Sequence, residues 1–254
     1  MKKIIFLSGT KGGTGKTTLA LNTSVLLAYL WRDAANYPVV YVDLTPNVGT
    51  AALILLGDVP ASWGRPSLSD YVGGRLAEPL GAFYIRQWST EKGAFQLVFT
   101  FMTQVVLLSR RQLEYVFSVV ESRLRPKLLV VDTPPLASDN PAAGLVDYVV
   151  PVVTPDVTAI EATRRYHDTI GGTKLRPVLN MYIPSYPISV VHSAPWEKVV
   201  ENAFGEYPHI IPYDKLVQAV RQALEVEVLK INPTESPAVK AIVEYARYLS
   251  AKVG

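Results

Sequence analysis

Residues 8–18 read Ser-Gly-Thr-Lys-Gly-Gly-Thr-Gly-Lys-Thr-Thr; they follow a β-rich run and open directly into a helical pattern. Glycines in such a loop let the backbone curl so that its N–H groups point inward around phosphate oxygens. The first turn of the helix adds free N–H groups and a partial positive charge. In a loop of this kind Lys16 reaches the β- and γ-phosphates and the Thr17 hydroxyl ligates Mg²⁺. The stretch therefore predicts a phosphate-binding loop for a nucleoside triphosphate.

The start of this loop has two unusual residues. Thr10 stands where the general pattern G-x-x-x-x-G-K-[ST] has its first glycine, and Lys11 follows it. The octapeptide KGGTGKTT (11–18) resembles the deviant Walker A box of the ParA/MinD family of dimerising ATPases. In that family the early lysine reaches the partner's nucleotide, so the resemblance implies a homodimer in which Lys11 acts in trans and Lys16 in cis, both as catalytic residues. The nucleotide-binding residues that it implies in the loop are Lys11, Gly12, Gly13, Thr14, Gly15, Lys16, Thr17 and Thr18.

A second strand-like run, Val39–Asp43, ends on a carboxylate. This position resembles the first switch of the same family, whose usual pattern there is Asp-x-Asp, and the resemblance implies a catalytic role for Asp43. This chain has Asp43-Leu44-Thr45 instead. The second aspartate normally orients or activates the attacking water, and Thr45 carries no charge to do so. Hydrolysis is therefore expected to be slow, rerouted through another group, or absent.

The run Leu128–Asp132 consists of four apolar residues followed by a carboxylate. This is the Walker B arrangement, in which a buried strand delivers Asp132 to the water shell of Mg²⁺. Thr133-Pro134-Pro135 follows and resembles the family's second switch, which senses the γ-phosphate. The metal site is accordingly assigned to Thr17 directly and to Asp132 through water, with Asp132 as a further catalytic residue.

Two segments near the C-terminus are assigned to the base of the nucleotide. Pro177–Asn180 ends a strand pattern with an amide that offers both a donor and an acceptor, which matches an edge of adenine. By resemblance, Asn180 reads the base, and Pro212 and Asp214 form the loop that packs beside it. Asp214 is equally well placed to cap the helix that follows. We expect it to do both.

Apolar β-rich runs alternate with helical patterns along the chain. The runs are continuous stretches of Val, Ile, Leu, Tyr and Phe, which is typical of parallel strands buried on both faces. The alternation predicts a doubly wound α/β fold, mostly parallel with helices on both faces, in a single P-loop domain over residues 1–254. Residues 60–93 are expected to be irregular, with loops and short helices over one edge. The predicted strands are Lys3–Ser8, Val39–Asp43, Phe95–Phe101, Lys127–Asp132, Tyr148–Val153, Pro177–Asn180 and His209–Ile211.

Composition excludes several classes of function. The chain has 254 residues, 49% of them hydrophobic, and no cysteine, so it carries no disulfide, thiol nucleophile or cysteine-ligated metal. The three histidines are far apart in sequence and show no metal-ligand spacing. No apolar run approaches the roughly 18 residues of a membrane span, and no cleavage site follows the first strand. A cytoplasmic protein is therefore predicted.

The net charge of +3 permits a polyanionic partner without requiring one. The first function considered is a ParA-like ATPase whose ATP-bound dimer binds nonspecific DNA at the nucleoid to partition or position chromosome or plasmid cargo, with slow hydrolysis stimulated by a ParB-like or other partner protein. The alternative is a MinD-like or orphan positioning switch that acts through protein or membrane partners, with little or no hydrolysis because of Thr45. A membrane is disfavoured, since the stripe of Ala238, Ile242, Tyr245 and Leu249 reads as core-facing. Candidate DNA contacts are Arg164, Arg165, Lys174, Arg176 and Arg221.

Overall fold

The computed structural model describes residues 1–9, 12–34, 37–46, 49–57, 64–104, 108–134, 140–191 and 193–254. A central sheet runs through the described residues in the order β11-β8-β6-β1-β5-β2-β4-β3, with β7 paired to β6 and a separate small sheet of β9 and β10. In chain order the strands are β1 (Lys2–Leu7), β2 (Val39–Asp43), β3 (Tyr84–Thr90), β4 (Gly93–Thr100), β5 (Leu128–Asp132), β6 (Tyr148–Val153), β7 (Thr173–Lys174), β8 (Val178–Tyr182), β9 (Ile188–Ser189), β10 (Ala194–Pro195) and β11 (His209–Pro212).

Helices cover both faces of this sheet. Alternate residues of β1 show the division: Ile4 and Phe6 pack towards α1 and α9, whereas Ile5 and Leu7 pack towards α4. Because both faces are covered, the central strands are apolar throughout, and every residue of β2 and β5 is buried. The helices are α1 (Lys16–Leu30), α2 (Thr50–Leu56), α3 (Leu68–Val72), α4 (Arg110–Leu124), α5 (Val157–Thr169), α6 (Trp196–Phe204), α7 (Lys215–Gln222), α8 (Glu227–Lys230) and α9 (Pro237–Val253), with a 3₁₀ turn at Pro79–Ala82.

The predicted fold class is confirmed. All strand pairs from β11 to β4 along the central sheet are parallel, and the predicted apolar runs all form strands. The last pair, β4 with β3, is antiparallel. Since parallel strands present all their carboxyl ends at one edge, the residues that follow β1, β2, β5, β8 and β11 meet there.

The segment expected to be irregular contains more regular structure than the sequence suggested. α3 and the 3₁₀ turn match the expected short helices, but β3 was missed. At the edge of the sheet only one face of β3 is covered: Tyr84, Arg86 and Trp88 are half-buried and alternate with exposed neighbours. A strand with one covered face carries polar residues, so it lacks the continuous apolar run by which the other strands were identified.

The sequence from Asp214 to Leu229 has a helical pattern that predicts one helix, but in the structure this segment is divided into α7 and α8. The chain turns at Leu224, which has a left-handed backbone with φ of 57°. α8 is then attached to the middle of α1, because Asn22 Nδ2 donates to Glu227 Oε2 at 2.7 Å and Asn22 Oδ1 accepts from Val228 N at 3.0 Å. This attachment fixes α8 on α1, and residues of α7 and of the first turn of α1 line the same cleft.

The C-terminal helix α9 is part of the core. The stripe predicted to face inward, Ala238, Ile242, Tyr245 and Leu249, is buried against α1 and the sheet. Among the described residues, none of the helices has the length and apolar character needed to cross a bilayer.

Candidate functional site

A cleft of about 520 Å³ opens at the carboxyl edge of the sheet, between the loop after β1 and the segment that leads into α7. It is large enough for a nucleotide-sized ligand. The structure brings together the described residues that the sequence assigned to the phosphates and to the base. Those that line the cleft are Gly12, Gly13, Thr14, Gly15, Lys16, Thr17, Thr18, Asn180, Pro212 and Asp214. Lys11 and Pro135 lie outside the described residues.

The loop enters α1 through a left-handed glycine. Gly15 has φ of 80°, and no side chain caps the helix, so the first N–H groups of α1 are available to a ligand. Asn180 Nδ2 donates to the carbonyl of Thr14 at 2.8 Å. The amide lies so close that a Cβ on Gly15 would come 2.1 Å from Asn180 Nδ2. Asn180 therefore supports the shape of the loop as well as facing the cleft.

The start of the loop is held against α5. Gly9 N donates to Thr163 Oγ1 at 2.9 Å, and a Cβ on Gly9 would come 2.5 Å from that of Ala162. A glycine is required here because the backbone itself packs on the helix. This contact fixes the direction in which the chain leaves β1.

Lys16 points down from the loop towards the sheet. Its Nζ lies 3.2 Å from Asp132 Oδ1 and also donates to the carbonyl of Thr133. Both partners are almost fully buried, with side-chain exposures of 7% for Lys16 and 0% for Asp132. Asp132 does not line the cleft itself but lies directly beneath the ammonium group that does.

Asp43 and Asp132 are register partners on β2 and β5, so two buried carboxylates lie on neighbouring strands. Asp43 Oδ1 accepts from Thr45 N at 2.8 Å, whereas Oδ2 has no hydrogen-bond partner among the described residues. Burial, and next the charge of Asp132, raise the pKa of Asp43 to about 7, while Thr45 and Lys16 oppose the shift. Lys16 pairs with Asp132, whereas Asp43 makes no ion pair within the described residues, so the site favours a proton on Asp43 or a further cation.

Tyr41 is a site residue that the sequence analysis missed. It lies on β2 two residues before Asp43, and its hydroxyl donates to Asp132 Oδ2 at 3.0 Å. Burial, and then the charges of Asp132 and Asp43, raise the pKa of the Tyr41 phenol well above its usual value, so it remains a donor. In the sequence, the only sign was a tyrosine inside a run of valines.

The base end of the cleft is built on Pro212 and Asp214. Asp214 caps α7 by accepting from Leu216 N at 2.8 Å, and it also accepts from the hydroxyl of Ser236, which caps α9. Tyr213, at 45% exposure, and Val217 line the cleft beside it and were not predicted. The capping role of Asp214 is confirmed, and its contact with a base stays a prediction.

The five candidate DNA contacts do not form one open patch. Arg164 pairs with Glu161 at 3.2 Å, and Arg176 pairs with Glu206 at 3.1 Å. Lys174 donates to backbone carbonyls at the end of α5, and burial lowers its pKa. Arg221 lines the nucleotide-sized cleft. Arg165 is exposed and makes no ion pair within the described parts of the chain.

Comparisons with known proteins show which solved structures share this fold. No protein-family model matches the chain, and no curated protein matches it. Among solved structures, the cell division ATPase MinD of Pyrococcus furiosus has a TM-score of 0.74 at 24% identity, covering 99% of this chain and 100% of that one. The septum site-determining protein MinD of Pyrococcus horikoshii, complexed with Mg-ADP, has a TM-score of 0.74 at 21% identity and covers 100% of this chain and 97% of that one. The ParA of pNOB8, bound to nonspecific DNA, has a TM-score of 0.62 at 13% identity, with coverages of 100% and 99%.

The chain is therefore an α/β protein with a P-loop NTPase fold. More narrowly, it has the fold of the MinD and ParA-family ATPases, and the resemblance first seen in the loop sequence is confirmed by these structures.

The two left-handed glycines of the loop provide a matched test of its packing. Gly13 and Gly15 have φ of 83° and 80°, but a Cβ on Gly13 would meet nothing within 4 Å. Gly13→Ala should thus lower the free energy of unfolding by about 1 kcal/mol, the cost of a left-handed backbone at alanine. Gly15→Ala should lose that and also displace Asn180, for a total of about 2–4 kcal/mol. Urea unfolding of both variants measures the difference; equal losses would contradict the Asn180 contact.

The raised pKa of Asp43 predicts a pH-dependent stability. The folded protein keeps a proton on Asp43 up to about pH 7, whereas the unfolded chain releases it near its ordinary pKa of 3.8. The free energy of unfolding should therefore fall as pH rises between these values and level off above them. Asp43→Asn should remove this decline and be the more stable protein above pH 7. Urea unfolding over this pH range, without nucleotide or metal, tests the prediction. Asp33→Asn, at a position that is 88% exposed, is the control. An unchanged decline of stability with pH in Asp43→Asn would contradict the prediction.

Proposed function

We propose that this chain is a member of the ParA/MinD family that binds ATP with Mg²⁺ in the cleft, closes into a homodimer and hydrolyses ATP slowly. One observation carries the proposal. A single cleft holds the N-terminus of α1, the buried ammonium of Lys16 and the amide of Asn180, directly above two adjacent carboxylates. The structure of the Pyrococcus horikoshii MinD, which has the same fold and was solved with Mg-ADP, supports ATP and Mg²⁺ as the ligands.

The described residues fit both ligands. The free N–H groups of α1 and the left-handed Gly15 suit phosphate oxygens, and Asn180 with Pro212 suits a base. Thr17 and Asp132 supply the oxygen atoms that Mg²⁺ prefers. Buried oxygens of Asp43 and Thr133 have no hydrogen-bond partner in the described structure, as expected where a hydrated cation binds. Bound Mg²⁺ would offset the charge of the phosphate oxygens.

The protein's own groups change partners when ATP binds. Lys16 would exchange Asp132 and the Thr133 carbonyl for the phosphates, and Asp132 would then be free to hold water beside Mg²⁺. Thr45 lines the cleft, and its hydroxyl is buried without a partner among the described residues. It is placed to orient a water but lacks a carboxylate to take the proton. This difference from Asp-x-Asp supports slow hydrolysis that depends on an activating partner.

Dimerisation is proposed through Lys11. By the resemblance of its loop, this lysine contacts the nucleotide of the second copy, so each subunit completes the site of the other. A two-fold dimer follows, because each copy gives and receives the same residue. ATP would then act as a switch by favouring the closed dimer over the separate subunits.

Nonspecific DNA is the proposed partner of this dimer, supported by the pNOB8 ParA structure of the same fold. Among the candidate contacts, Arg164 and Arg165 on α5 are the exposed ones that we propose for phosphates. Lys174 and Arg176 are engaged by other groups of the protein and Arg221 lies in the cleft, so we assign these three a smaller share of the DNA contacts. A cytoplasmic, nucleoid-associated ATPase with a ParB-like activator is the resulting function.

A second function is favoured by the hairpin of β9 and β10. It exposes apolar side chains to 75% at Tyr186, 58% at Ile188, 90% at Val190 and 75% at Val191. No charged residue lies between Arg176 and Glu197. Exposed apolar patches of this kind mark sites of association. A MinD-like switch that binds a protein through this hairpin is therefore the alternative, whereas α9 offers no free apolar face for a membrane.

ATP binding is tested first with Lys16→Ala. The loss of a charge-assisted hydrogen bond, about 1.5–3 kcal/mol, should weaken Mg-ATP affinity by about 10- to 100-fold. Lys198→Ala, which removes an exposed lysine on α6, is the matched control and should bind as the parent does. Isothermal titration calorimetry measures both. Wild-type affinity in Lys16→Ala would refute the assigned site.

The partner is tested by retention on nonspecific duplex DNA with ATP, with ADP and without nucleotide, at low and high salt. Retention that needs ATP and weakens steeply with salt supports the DNA-bound dimer.

Lys11→Ala should bind ATP yet remain a monomer by analytical ultracentrifugation and lose DNA retention. ATP binding without DNA retention in the wild type would favour the protein-directed switch, and an ATP dimer of Lys11→Ala would contradict the trans role.

A further inference from the structure

Tyr41 is fully buried in the middle of β2, on the face that α1 covers. Residues two apart on a strand share a face, so Tyr41 and Asp43 are on the same side of the sheet. Asp132 is the register partner of Asp43. Tyr41 itself is the register partner of Val130, so its hydroxyl reaches across to the end of β5, where it lies 3.0 Å from Asp132 Oδ2.

The two oxygens of Asp132 have different donors. Oδ1 faces Lys16 Nζ at 3.2 Å, and Oδ2 accepts from Tyr41. In the proposed nucleotide site Lys16 turns to the phosphates, so its hydrogen bond to Asp132 is lost. Tyr41 is then the side-chain donor that remains on Asp132 within the described residues. It is part of the sheet and does not move with the loop.

A phenol has a specific advantage at this position. It is neutral, so it holds the carboxylate in place without cancelling the negative charge that attracts a cation. A lysine or arginine at position 41 would also donate, but it would neutralise the carboxylate. Phenylalanine would leave Oδ2 buried without a partner, free to rotate or to seek another donor.

We propose that Tyr41 is a positioning residue that orients Asp132 towards the hydrated Mg²⁺ and so sets how strongly Mg²⁺ tightens ATP binding. The inference rests on the proposed nucleotide site. The relevant quantity is the magnesium gain, defined as the ratio of the ATP dissociation constant in EDTA to that in excess Mg²⁺. Groups that orient a metal's ligands typically change metal affinity by about 10- to 100-fold when removed.

The experiment measures the magnesium gain of the wild type, Tyr41→Phe, Asp132→Asn and the double variant by isothermal titration calorimetry. Tyr41→Phe should keep the wild-type affinity in EDTA and lose about tenfold of the gain. In the Asp132→Asn background, Tyr41→Phe should change the gain no further, because its acceptor is altered. A wild-type gain in Tyr41→Phe, or an equal loss in both backgrounds, would overturn the inference.

Tyr245→Phe is the matched control. Tyr245 lies on α9 and is also fully buried. Its hydroxyl donates to the carbonyl of Arg176 at 2.7 Å, and neither residue lines the cleft. Tyr245→Phe removes the same hydroxyl oxygen as Tyr41→Phe, and it should lower the stability of the fold while keeping the full magnesium gain. An equal loss of gain in Tyr245→Phe would show a general effect of stability and overturn the role of Tyr41.

A second readout does not need nucleotide. Urea unfolding of the same four proteins gives the coupling between Tyr41→Phe and Asp132→Asn, which should be non-additive if the hydrogen bond exists. Additive losses would overturn the inference. Failure of the wild type to bind ATP would refute the proposed function and, with it, this role for Tyr41. A wild-type protein with a clear gain that Tyr41→Phe retains would refute the inference alone.

Discussion

The buried pair of Lys16 and Asp132 is the interaction on which the site depends. Two carboxylates, Asp43 and Asp132, lie side by side on β2 and β5, and within the described residues Lys16 forms its ion pair with Asp132. Burying an uncompensated charge is costly, so the raised pKa of Asp43 is the expected response. The same imbalance makes the edge of the sheet a place for a further cation. In the proposed nucleotide site, this charge deficit, which costs stability in the free protein, would attract Mg²⁺.

The loop around this pair is held in place by a few close contacts of its backbone with neighbouring elements. Gly15 is needed because the amide of Asn180 occupies the space of its side chain, and Gly9 because its backbone packs on α5. These contacts tie the loop after β1 to β8 on one side and to α5 on the other. The base end is tied in turn by Ser236 and Asp214, which connect the starts of α9 and α7. Most of the cleft is therefore held by the fold before any ligand arrives.

Much of the fold and of the cleft was predictable from the sequence. Central strands such as Leu128–Asp132 are buried on both faces and so carry an unbroken apolar signal. β3 carries no such signal, since its outer face is open, and α2 is an apolar segment too short to separate a helix from a strand. Tyr41 was missed because a tyrosine in a run of valines reads as core. Arg221 was predicted as a DNA contact, and its position in the cleft was missed because it depends on the turn at Leu224 and on the anchoring of α8.

The sequence by itself determined the local chemistry: the glycine loop that opens into α1, the carboxylates at strand ends and the parallel α/β class. Those features are encoded by residues that are close together along the chain, so their pattern can be read directly. The tertiary structure decided which distant groups meet. Asn22 contacts Glu227, Tyr41 contacts Asp132, and the candidate DNA contacts are dispersed among separate partners. Such contacts join residues far apart in sequence, and their geometry is set by the register of neighbouring strands and the packing of helices, which no local pattern records.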